Sequence, residues 1–433
     1  MNQNLFPDGT PISPDLLSDE LPSPVALGLE WNLSEHGVRS GEAVQTEAIQ
    51  RIIDRAAETG GGVVIVPRGT FVSGSLFFPA GVHLFLAEGA VLKGSDRISD
   101  YRVTETRIEG ETCPYFAALI NADHADGFTL FGRGVIDGNG LRSWEAFWLR
   151  RQWNPDCTNK DEQRPRLVYI SNSSHVTIHG VTLRDSHFWT THLYRCHHAR
   201  ILNCRITSPA APIPAPSTDA IDLDACEDIA IRGCDLSVND DAIALKGGKG
   251  YNADEKPENG PVQRVLIEHC RFGFSHSCLT CGSEAIHCRN ILMRHCEVQG
   301  AVNLLRLKMR PDTPQKYEYV TVEHVTGRVA HLLHAQPWNQ FADPQAPASL
   351  PNTARDITLR DCDCVCDDPL ALTPDSVFFI QGRRFLLERL RVCARESRFS
   401  TDELLAAYSD SEARDVSIRI DADQPPIRTM DIM

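Results

Sequence analysis

Long apolar runs are absent from this sequence. None of its 433 residues lies in a stretch approaching the ~18 uninterrupted apolar residues of a membrane-spanning helix. The N-terminal stretch from Met1 to Asp8 lacks a basic segment followed by an apolar one, so no secretory signal is predicted. Basic residues are also few, because 43 Lys and Arg face 58 Asp and Glu, for a net charge of −15. This balance disfavours nucleic acid and anionic lipid as partners, and an acidic ligand would need a local basic patch.

Closely paired cysteines are nearly absent as well. Cys278 and Cys281 form the only C-x-x-C among 15 cysteines, without a matching second half, so a zinc site is disfavoured and no metal or cofactor is expected. Many other cysteines lie inside apolar strand patterns, which favours free, buried thiols in a reducing compartment. Together with the missing signal, these thiols predict a cytoplasmic protein.

A single amphipathic helix precedes a long region of strands. Apolar residues at 49, 52, 53 and 56 have helical spacing, Thr46 is the expected N-cap, and Gly60 to Gly62 are expected to end the helix. Val63 to Pro67 then reads as a buried strand. From Gly74 to the C-terminal segment almost no helix is predicted. Such a helix can cover the open end of a β-solenoid, whose terminal coil would otherwise expose its core.

One apolar alternation recurs along the chain. It appears as Phe128-Thr129-Leu130, Val176-Thr177-Ile178, Ala199-Arg200-Ile201, Ile229-Ala230-Ile231, Val265-Leu266-Ile267, Ile291-Leu292-Met293, Val320-Thr321-Val322 and Ile357-Thr358-Leu359. Three residues after all but the first lies a small apolar residue, namely Val181, Cys204, Cys234, Cys270, Cys296, Val325 and Cys362. From Ile178 onward the last members follow one another at intervals of 23 to 37 residues, obtained by subtracting their numbers. Such intervals suit turns of a parallel β-solenoid with looped-out insertions and a cysteine column in the core.

The pattern therefore predicts an all-β chain folded as one parallel β-helix domain. A β-propeller would need more hairpin turns, and a leucine-rich repeat would need regular Leu and Asn positions that are absent. The predicted parts are an N-terminal extension (1–40), a capping helix (41–62), the coils (63–395) and a C-terminal cap (396–433) with a weak helix from Thr401 to Tyr408. Insertions at 101–113, 144–164 and 247–260 are expected to border a groove.

Three acids and a histidine fall on successive repeats of this pattern. Asp219 and Asp240 are 21 residues apart, which would place them on adjacent strands at about 5 Å. Asp240 and Asp241 would point to opposite faces of a regular strand, so both reach the groove only if the chain bends between them. Clustered carboxylates raise one another's pKa, and an acid beside an ionised carboxylate is what glycosidic cleavage requires. Capping of strand ends and calcium ligation are the competing interpretations, and His276 could tune an acid or hold substrate.

A basic pair follows one repeat later. Arg306 and Lys308 share a strand face and call for an anionic partner, either the neighbouring acids or a substrate carboxylate. Lys246 and Lys249 add to this positive patch.

The order of these residues resembles glycoside hydrolase family 28, the polygalacturonases and their exo-acting bacterial relatives. The family motifs Asn-Thr-Asp, Asp-Asp, Gly-His-Gly and Arg-Ile-Lys are similar to Ser217-Thr218-Asp219, Asp240-Asp241, Ser275-His276-Ser277 and Arg306-Leu307-Lys308. Gly282-Ser283-Glu284 and the stretch from Gly134 to Gly140 also match, so the likeness covers roughly residues 40 to 400.

The resemblance implies a right-handed parallel β-helix and metal-independent hydrolysis of an α-galacturonosyl linkage with inversion. It makes Asp240 the general acid, Asp219 and Asp241 the residues that activate water, His276 the support of the acid, and Arg306 with Lys308 the holders of the galacturonate carboxylate; Lys246 and Ser217 are added as substrate contacts. The usual two-carboxylate rule would instead associate a 5 Å spacing with retention.

Departures from the family pattern bear on the substrate. Ser217 replaces the family's Asn, and Ser275 and Ser277 replace its glycines. We expect an exo-acting galacturonidase on pectic oligosaccharides, with loop 247–260 closing one end of the groove. The alternatives are a rhamnogalacturonan-directed hydrolase, a calcium-dependent pectate-lyase-like enzyme and a non-catalytic carbohydrate-binding solenoid.

Overall fold

Strands of this protein stack in parallel into three columns that run the length of a β-helix. The computed structural model describes residues 4–21, 27–347, 350, 352–373 and 379–427. Column 1 consists of Glu30–Asn32, Gly62–Val66, Val82–Leu86, Thr129–Gly132, Thr177–His179, His197–Leu202, Glu227–Arg232, Val262–Glu268 and Asn352–Arg360, and the last strand, Glu412–Ile420, extends it and column 2. Column 2 consists of Gly69–Ser73, Ala90–Gly94, Val135–Asp137, Thr182–Arg184, Arg205–Thr207, Asp235–Ser237, Arg271–Phe272 and Asp363–Cys366.

Column 3 carries the chemically interesting residues. It consists of Leu76–Phe78, Ile120–Asp123, Val168–Ser171, Thr191–Tyr194, Ile221–Asp224, Asp241–Lys246, Ser277–Gly282 and Leu370–Ala371. The long strands His287–Lys308 and Gln315–His334 bend through all three columns, and Gln381–Ala394 runs through columns 1 and 2. The parallel β-helix predicted from the sequence is thus confirmed.

The register of column 1 reproduces the sequence repeat. Leu130, Ile178, Ile201, Ile231, Ile267, Met293, Val322 and Leu359 pair in that order. Each is buried, because an apolar residue at the same place in every coil packs on the one above and the one below. The predicted cysteine column is confirmed too, since Cys204, Cys234, Cys270, Cys296 and Cys362 are at most 4% exposed and all 15 cysteines are free.

The N-terminal helix covers the first coils, as expected, but begins differently. It spans Thr46–Glu58 and buries Ile49, Ile52, Ile53 and Ala56. The prediction of Thr46 as N-cap is wrong: Gln45 holds that place, and the Thr46 hydroxyl instead accepts a hydrogen bond from the Gly74 N–H at 2.7 Å. Tertiary contact with the coil has displaced the local cap. Gly61, with φ of +100°, donates its N–H to the Ala56 carbonyl and closes the helix.

A second long helix, Leu141–Trp153, was not predicted. It begins three residues before the expected insertion 144–164, buries Trp144 and Phe147, and bonds to the next coil where the Trp144 indole N–H donates to the Ser186 carbonyl. Short helices occur at Pro14–Leu17 and Thr401–Ala407, the latter with a Ser400/Glu403 capping box where a weak helix was predicted. In the described ranges, 3-10 turns include Ile98–Asp100, Asn159–Asp161 and Ala253–Glu255. No helix in the described ranges is long and apolar enough to cross a membrane.

Most of insertion 101–113 belongs to an antiparallel hairpin, Val103–Ile108 with Glu111–Phe116. Past residue 395 the solenoid continues, because Glu412–Ile420 adds a strand to Gln381–Ala394.

Candidate functional site: an acid cluster on column 3

Long segments border column 3 on both sides and make it the floor of a groove. Those that lead from column 2 into column 3 include residues 95–119, 138–167 and 208–220, and those that leave column 3 for column 1 include 247–261, 309–314 and 335–347. All three insertions expected from the sequence are among them. Side chains that alternate outward along column 3 therefore face a walled space.

The three predicted acids meet on this floor. One carboxylate oxygen from each of Asp219, Asp240 and Asp241 lies within 4.8 Å of the others. Asp219 directly precedes the strand Ile221–Asp224, and Asp241 opens the next strand of the column. Asp240 lies in a bend just before that strand, where its Oδ1 accepts a hydrogen bond from the backbone N–H of Asp241 at 2.9 Å. The bend that the sequence argument required is present, and it turns both neighbouring carboxylates to one side.

Each acid has its own cationic or imidazole partner. His276 Nδ1 is 3.2 Å from Asp240 Oδ1, and the backbone N–H of His276 donates to the backbone carbonyl of Asp240. Lys308 Nζ is 3.4 Å from Asp241 Oδ2. Lys246 Nζ is 3.7 Å from Asp219 Oδ2. Three carboxylates could share a cation such as calcium, and Lys246 and Lys308 supply positive charge at the same place.

Environment separates the pKa values of the three acids. Burial and then the neighbouring carboxylates, Asp240 first, raise the pKa of Asp219 well above its ordinary value. Burial also raises the pKa of Asp240, but His276 and Lys308 outweigh it and leave the value lowered. Burial raises the pKa of Asp241 too, but Lys308, Arg306 and His276 together outweigh it and leave the value lowered. In the free protein the cluster therefore holds its proton on Asp219, whereas the resemblance assigns the acid to Asp240.

Lys246 lies beneath the acids and is enclosed by anions. Its side chain is 5% exposed, and its ammonium is 3.3 Å from Asp222 Oδ1 and 3.5 Å from Glu284 Oε2, in addition to Asp219. The ammonium also lies 4.3 Å from the centre of the Trp189 ring. The sequence argument placed Lys246 against substrate. Its surroundings favour positioning of Asp219 instead.

Arg306 and Lys308 share one face, as predicted. Trp338, from the segment 335–347, covers both: its ring centre is 5.0 Å from the Arg306 Cζ and 4.2 Å from the Lys308 Nζ. Lys308 pairs with Asp241, whereas Arg306 makes no ion pair within the described residues and its buried Nε has no hydrogen-bond partner. Arg306 is thus a desolvated cation that an anionic ligand could pair with.

Ser217 adopts a left-handed backbone, with φ of +53°, two residues before Asp219. It is half-buried at the edge of the acid cluster. Ser275 and Ser277, which flank His276, are fully buried. The structure thus brings the three acids into contact with His276, Lys246 and Lys308, and it places Arg306 beside Lys308 under the Trp338 ring.

Asp222 provides a test of this electrostatic description. It is fully buried, and burial raises its pKa to about 7 despite Lys246. The folded protein therefore retains a proton that the unfolded chain loses between pH values of about 4 and 7, so this group's contribution to stability falls as the pH rises through that window. We expect Asp222→Asn to remove this pH dependence. The free energy of unfolding of the variant should rise relative to that of the wild type by about 1 kcal/mol or more per pH unit across the window. Urea unfolding across the window measures the difference, and parallel profiles for the two proteins would contradict it.

Clustered carboxylates on one strand column are the groups that cleavage of a glycosidic bond requires. The fold and the site together therefore indicate a glycosidase. The family model "Glycosyl hydrolases family 28" matches residues 87–326, more than half of the chain. The chain belongs to this family of glycosidases.

Individual relatives are more distant. An endo-polygalacturonase from Pectobacterium carotovorum subsp. carotovorum is 25% identical over 284 residues, which cover 63% of this chain and 66% of that relative. A probable polygalacturonase from Vitis vinifera is 28% identical over 221 residues, 49% of this chain and 43% of the relative. The chain thus spans about two thirds or less of the length of these curated relatives.

Among solved structures, an exopolygalacturonase from Thermotoga maritima has a TM-score of 0.75 at 19% identity, covering 94% of this chain and 95% of that one. A family 28 exopolygalacturonase from Yersinia enterocolitica has a TM-score of 0.69 at 19% identity, covering 92% of this chain and 79% of that one. At these identities the likeness establishes the common fold.

Proposed function

We propose that this protein hydrolyses α-galacturonosyl linkages of pectic oligosaccharides. The observation that carries the proposal is the convergence of Asp219, Asp240 and Asp241 within 4.8 Å, beside an unpaired buried Arg306, on the floor of one groove. Acids with separated pKa values supply acid and base, and the arginine fork suits a uronate carboxylate. The named activities of the polygalacturonase relatives support the same substrate class.

In the proposed reaction Asp240 protonates the leaving glycosidic oxygen. The proton comes from the Asp240–His276 pair, since Nδ1 and Oδ1 at 3.2 Å can share one. Asp219 passes its proton to the Asp240–His276 pair, which delivers it to the leaving oxygen. Asp241, ionised beside Lys308, and the now ionised Asp219 orient the attacking water, and one of them accepts its proton as the water oxygen bonds to the anomeric carbon. Three acids around one water depart from the simple pair of the spacing rule, and we propose inversion.

The groove is closed on the side of the earlier coils, which favours exo action. Arg107 of the hairpin bonds to the floor at Asp224 (3.0 Å) and to Asn259 of loop 247–260 (2.6 Å), so segments from both walls join across column 3. Farther along, the Arg151 guanidinium lies 5.6 Å from the centre of the Phe341 ring, which joins the insertion after column 2 to segment 335–347. A chain end fits such a closed groove better than a chain interior.

Product analysis on a reducing-end-labelled oligogalacturonate tests the proposal. We expect monogalacturonate as the first and only small product, with inverted anomeric configuration in the proton NMR spectrum of the initial product. Internal fragments at early times would contradict exo action, and a retained anomer would contradict the three-acid mechanism.

The lyase and binding alternatives give different outcomes in the same assay. A calcium-dependent lyase would release unsaturated products that absorb in the ultraviolet and would stop on addition of a chelator. A non-catalytic solenoid would release nothing while still binding the oligosaccharide. Cytoplasmic action on imported fragments is part of our proposal, motivated by the free thiols, and fractionation of cells producing the protein would test it.

A further inference from the structure

A cavity separate from the acid cluster lies on column 3, beyond the basic pair Arg306 and Lys308. Its volume is about 310 Å³, within the range of small-molecule sites. Described residues of its lining include His331, His334, Gln336, Asp368, Leu372 and Arg398. None of these belongs to the acid cluster or to the family motifs.

Strand register places the cavity directly beside the proposed uronate site. His334 pairs with Arg306, and His331 pairs with Asn303, which in turn pairs with Ser277 and so with Asp241. One coil is about 4.8 Å, so the cavity adjoins Arg306 on the side away from the roofed end of the groove. An oligosaccharide whose uronate is held at Arg306 would extend into it.

Two histidines give the cavity uncharged hydrogen-bonding groups. His331 Nδ1 is 2.7 Å from the carbonyl oxygen of Asp368; a carbonyl only accepts, so Nδ1 carries the proton and Nε2 remains an acceptor. The buried Nδ1 of His334 has no hydrogen-bond partner. Burial lowers the pKa of both histidines, that of His334 to about 2 with Arg306 contributing, so both are neutral near pH 7.

The cavity's own positive charge is already neutralised. Arg398 is the one cation in its described lining, and its Nε lies 2.9 Å from Asp368 Oδ2 and 3.2 Å from Glu396 Oε1. A second uronate carboxylate would enter without a free cationic partner, which is costly in a partly buried place. Sugar hydroxyls, in contrast, would find neutral imidazoles, the Gln336 amide and the apolar side chain of Leu372.

We infer that the cavity lined by His331, His334 and Gln336 is a subsite for an uncharged sugar that adjoins the galacturonate held at Arg306. The inference rests on the proposed function and narrows it: a mixed oligosaccharide in which a uronate is linked to a neutral sugar is the preferred substrate, and a run of uronates binds more weakly.

Binding to the Asp240→Asn variant, measured by calorimetry, tests the subsite without turnover. The two probes are an oligogalacturonate and an oligosaccharide of equal length in which galacturonate alternates with rhamnose. We expect the mixed probe to bind at least about tenfold more tightly, since unpaired polar groups discriminate strongly. His334→Ala and Gln336→Ala, each added to that variant, should abolish the preference by weakening only the mixed probe.

The matched control is His324→Ala. His324 lies on the same strand, but at a turn where it stacks on His295 at 4.8 Å, away from column 3. Its replacement should leave both affinities unchanged. Equal affinities for the two probes, or an equal loss of both in the cavity variants, would overturn the subsite. Wild-type protein that hydrolyses neither probe would instead refute the proposed function, while the binding comparison would still decide the subsite.

Discussion

Asp240→Asn is expected to lower kcat at least about 100-fold while KM and oligosaccharide affinity change little. The amide keeps the shape of the carboxyl group and can still bond to His276, but it can neither hold nor deliver the proton that the leaving oxygen needs. The Asp240 carboxylate contacts Asp241 and His276 and is not part of the apolar core. The substitution should therefore leave the stacking of the coils intact. Initial rates and calorimetric binding on the same oligogalacturonate separate the two effects.

A second consequence distinguishes an acid–base role from simple binding. The charge of Asp240 is the largest contribution, after burial, to the raised pKa of Asp219. Removing that charge should lower the pKa of Asp219, so the ascending limb of the residual pH–rate profile should move to lower pH. An unchanged profile would contradict the coupling.

The control for this variant is Asp235→Asn. Asp235 lies on column 2, where it forms a surface ion pair with Arg271 at 3.1 Å. It shares the charge change but not the groove, and surface pairs of this kind contribute little to stability. Its kcat should equal that of the wild type. If Asp240→Asn lowered kcat by less than tenfold, the proton transfer would belong to another group. Asp219 would then be the first candidate, because its pKa is raised.

Sequence periodicity predicted the coils because each coil repeats the same physical requirement. A residue such as Ile231 packs only on its counterparts Ile201 and Ile267, so apolar identity recurs once per turn wherever the turn lies in the chain. The same logic placed Asp219 and Asp240 on adjacent strands, and the observed register, with Ile221 opposite Ile243, brings Asp219 opposite Asp241, one residue further on. Column stacking converts an interval in sequence into a distance in space, which few other folds allow.

Features that depend on insertions could not be predicted in this way. The helix Leu141–Trp153 is stabilised by burial of Trp144 and Phe147 against other coils, and its own pattern carries only a weak amphipathic signal. Trp338 covers the basic pair from a segment that follows no repeat, so nothing in its neighbourhood marked it. Asp222 did have a signal, since it lies in the same stretch as Asp219, but its contact with Lys246 required the register of two strands.

Lys246 shows the limit for charged residues. The sequence indicated a positive charge near the acids, which is correct. Whether that charge faces substrate or protein depends on which carboxylates surround it, and three of them do so here. Arg306 forms no such ion pair within the described residues, although the sequence argument counted both residues in one positive patch.

Arg306→Ala should therefore raise KM for oligogalacturonates about 10- to 100-fold, with a smaller effect on kcat. A hydrogen bond to a charged group contributes about 1.5–3 kcal/mol, and each 1.4 kcal/mol is a factor of ten in affinity. Lys308 cannot compensate, because it is committed to Asp241 at 3.4 Å. Arg306→Lys, which keeps the charge but loses the planar fork, should fall between the alanine variant and the wild type.

Methyl-esterified oligogalacturonate separates recognition of the carboxylate from general packing. Esterification removes the negative charge, so the wild type should bind the ester as weakly as Arg306→Ala binds the acid. The affinity of Arg306→Ala for the ester should be close to that of the wild type. Arg271→Ala, which breaks the surface pair with Asp235, is the control and should behave as the wild type on both substrates. If Arg306→Ala weakened the ester and the acid equally, Arg306 would support the Trp338 ring and not the uronate, and the basic floor of the groove would lose its role in substrate choice.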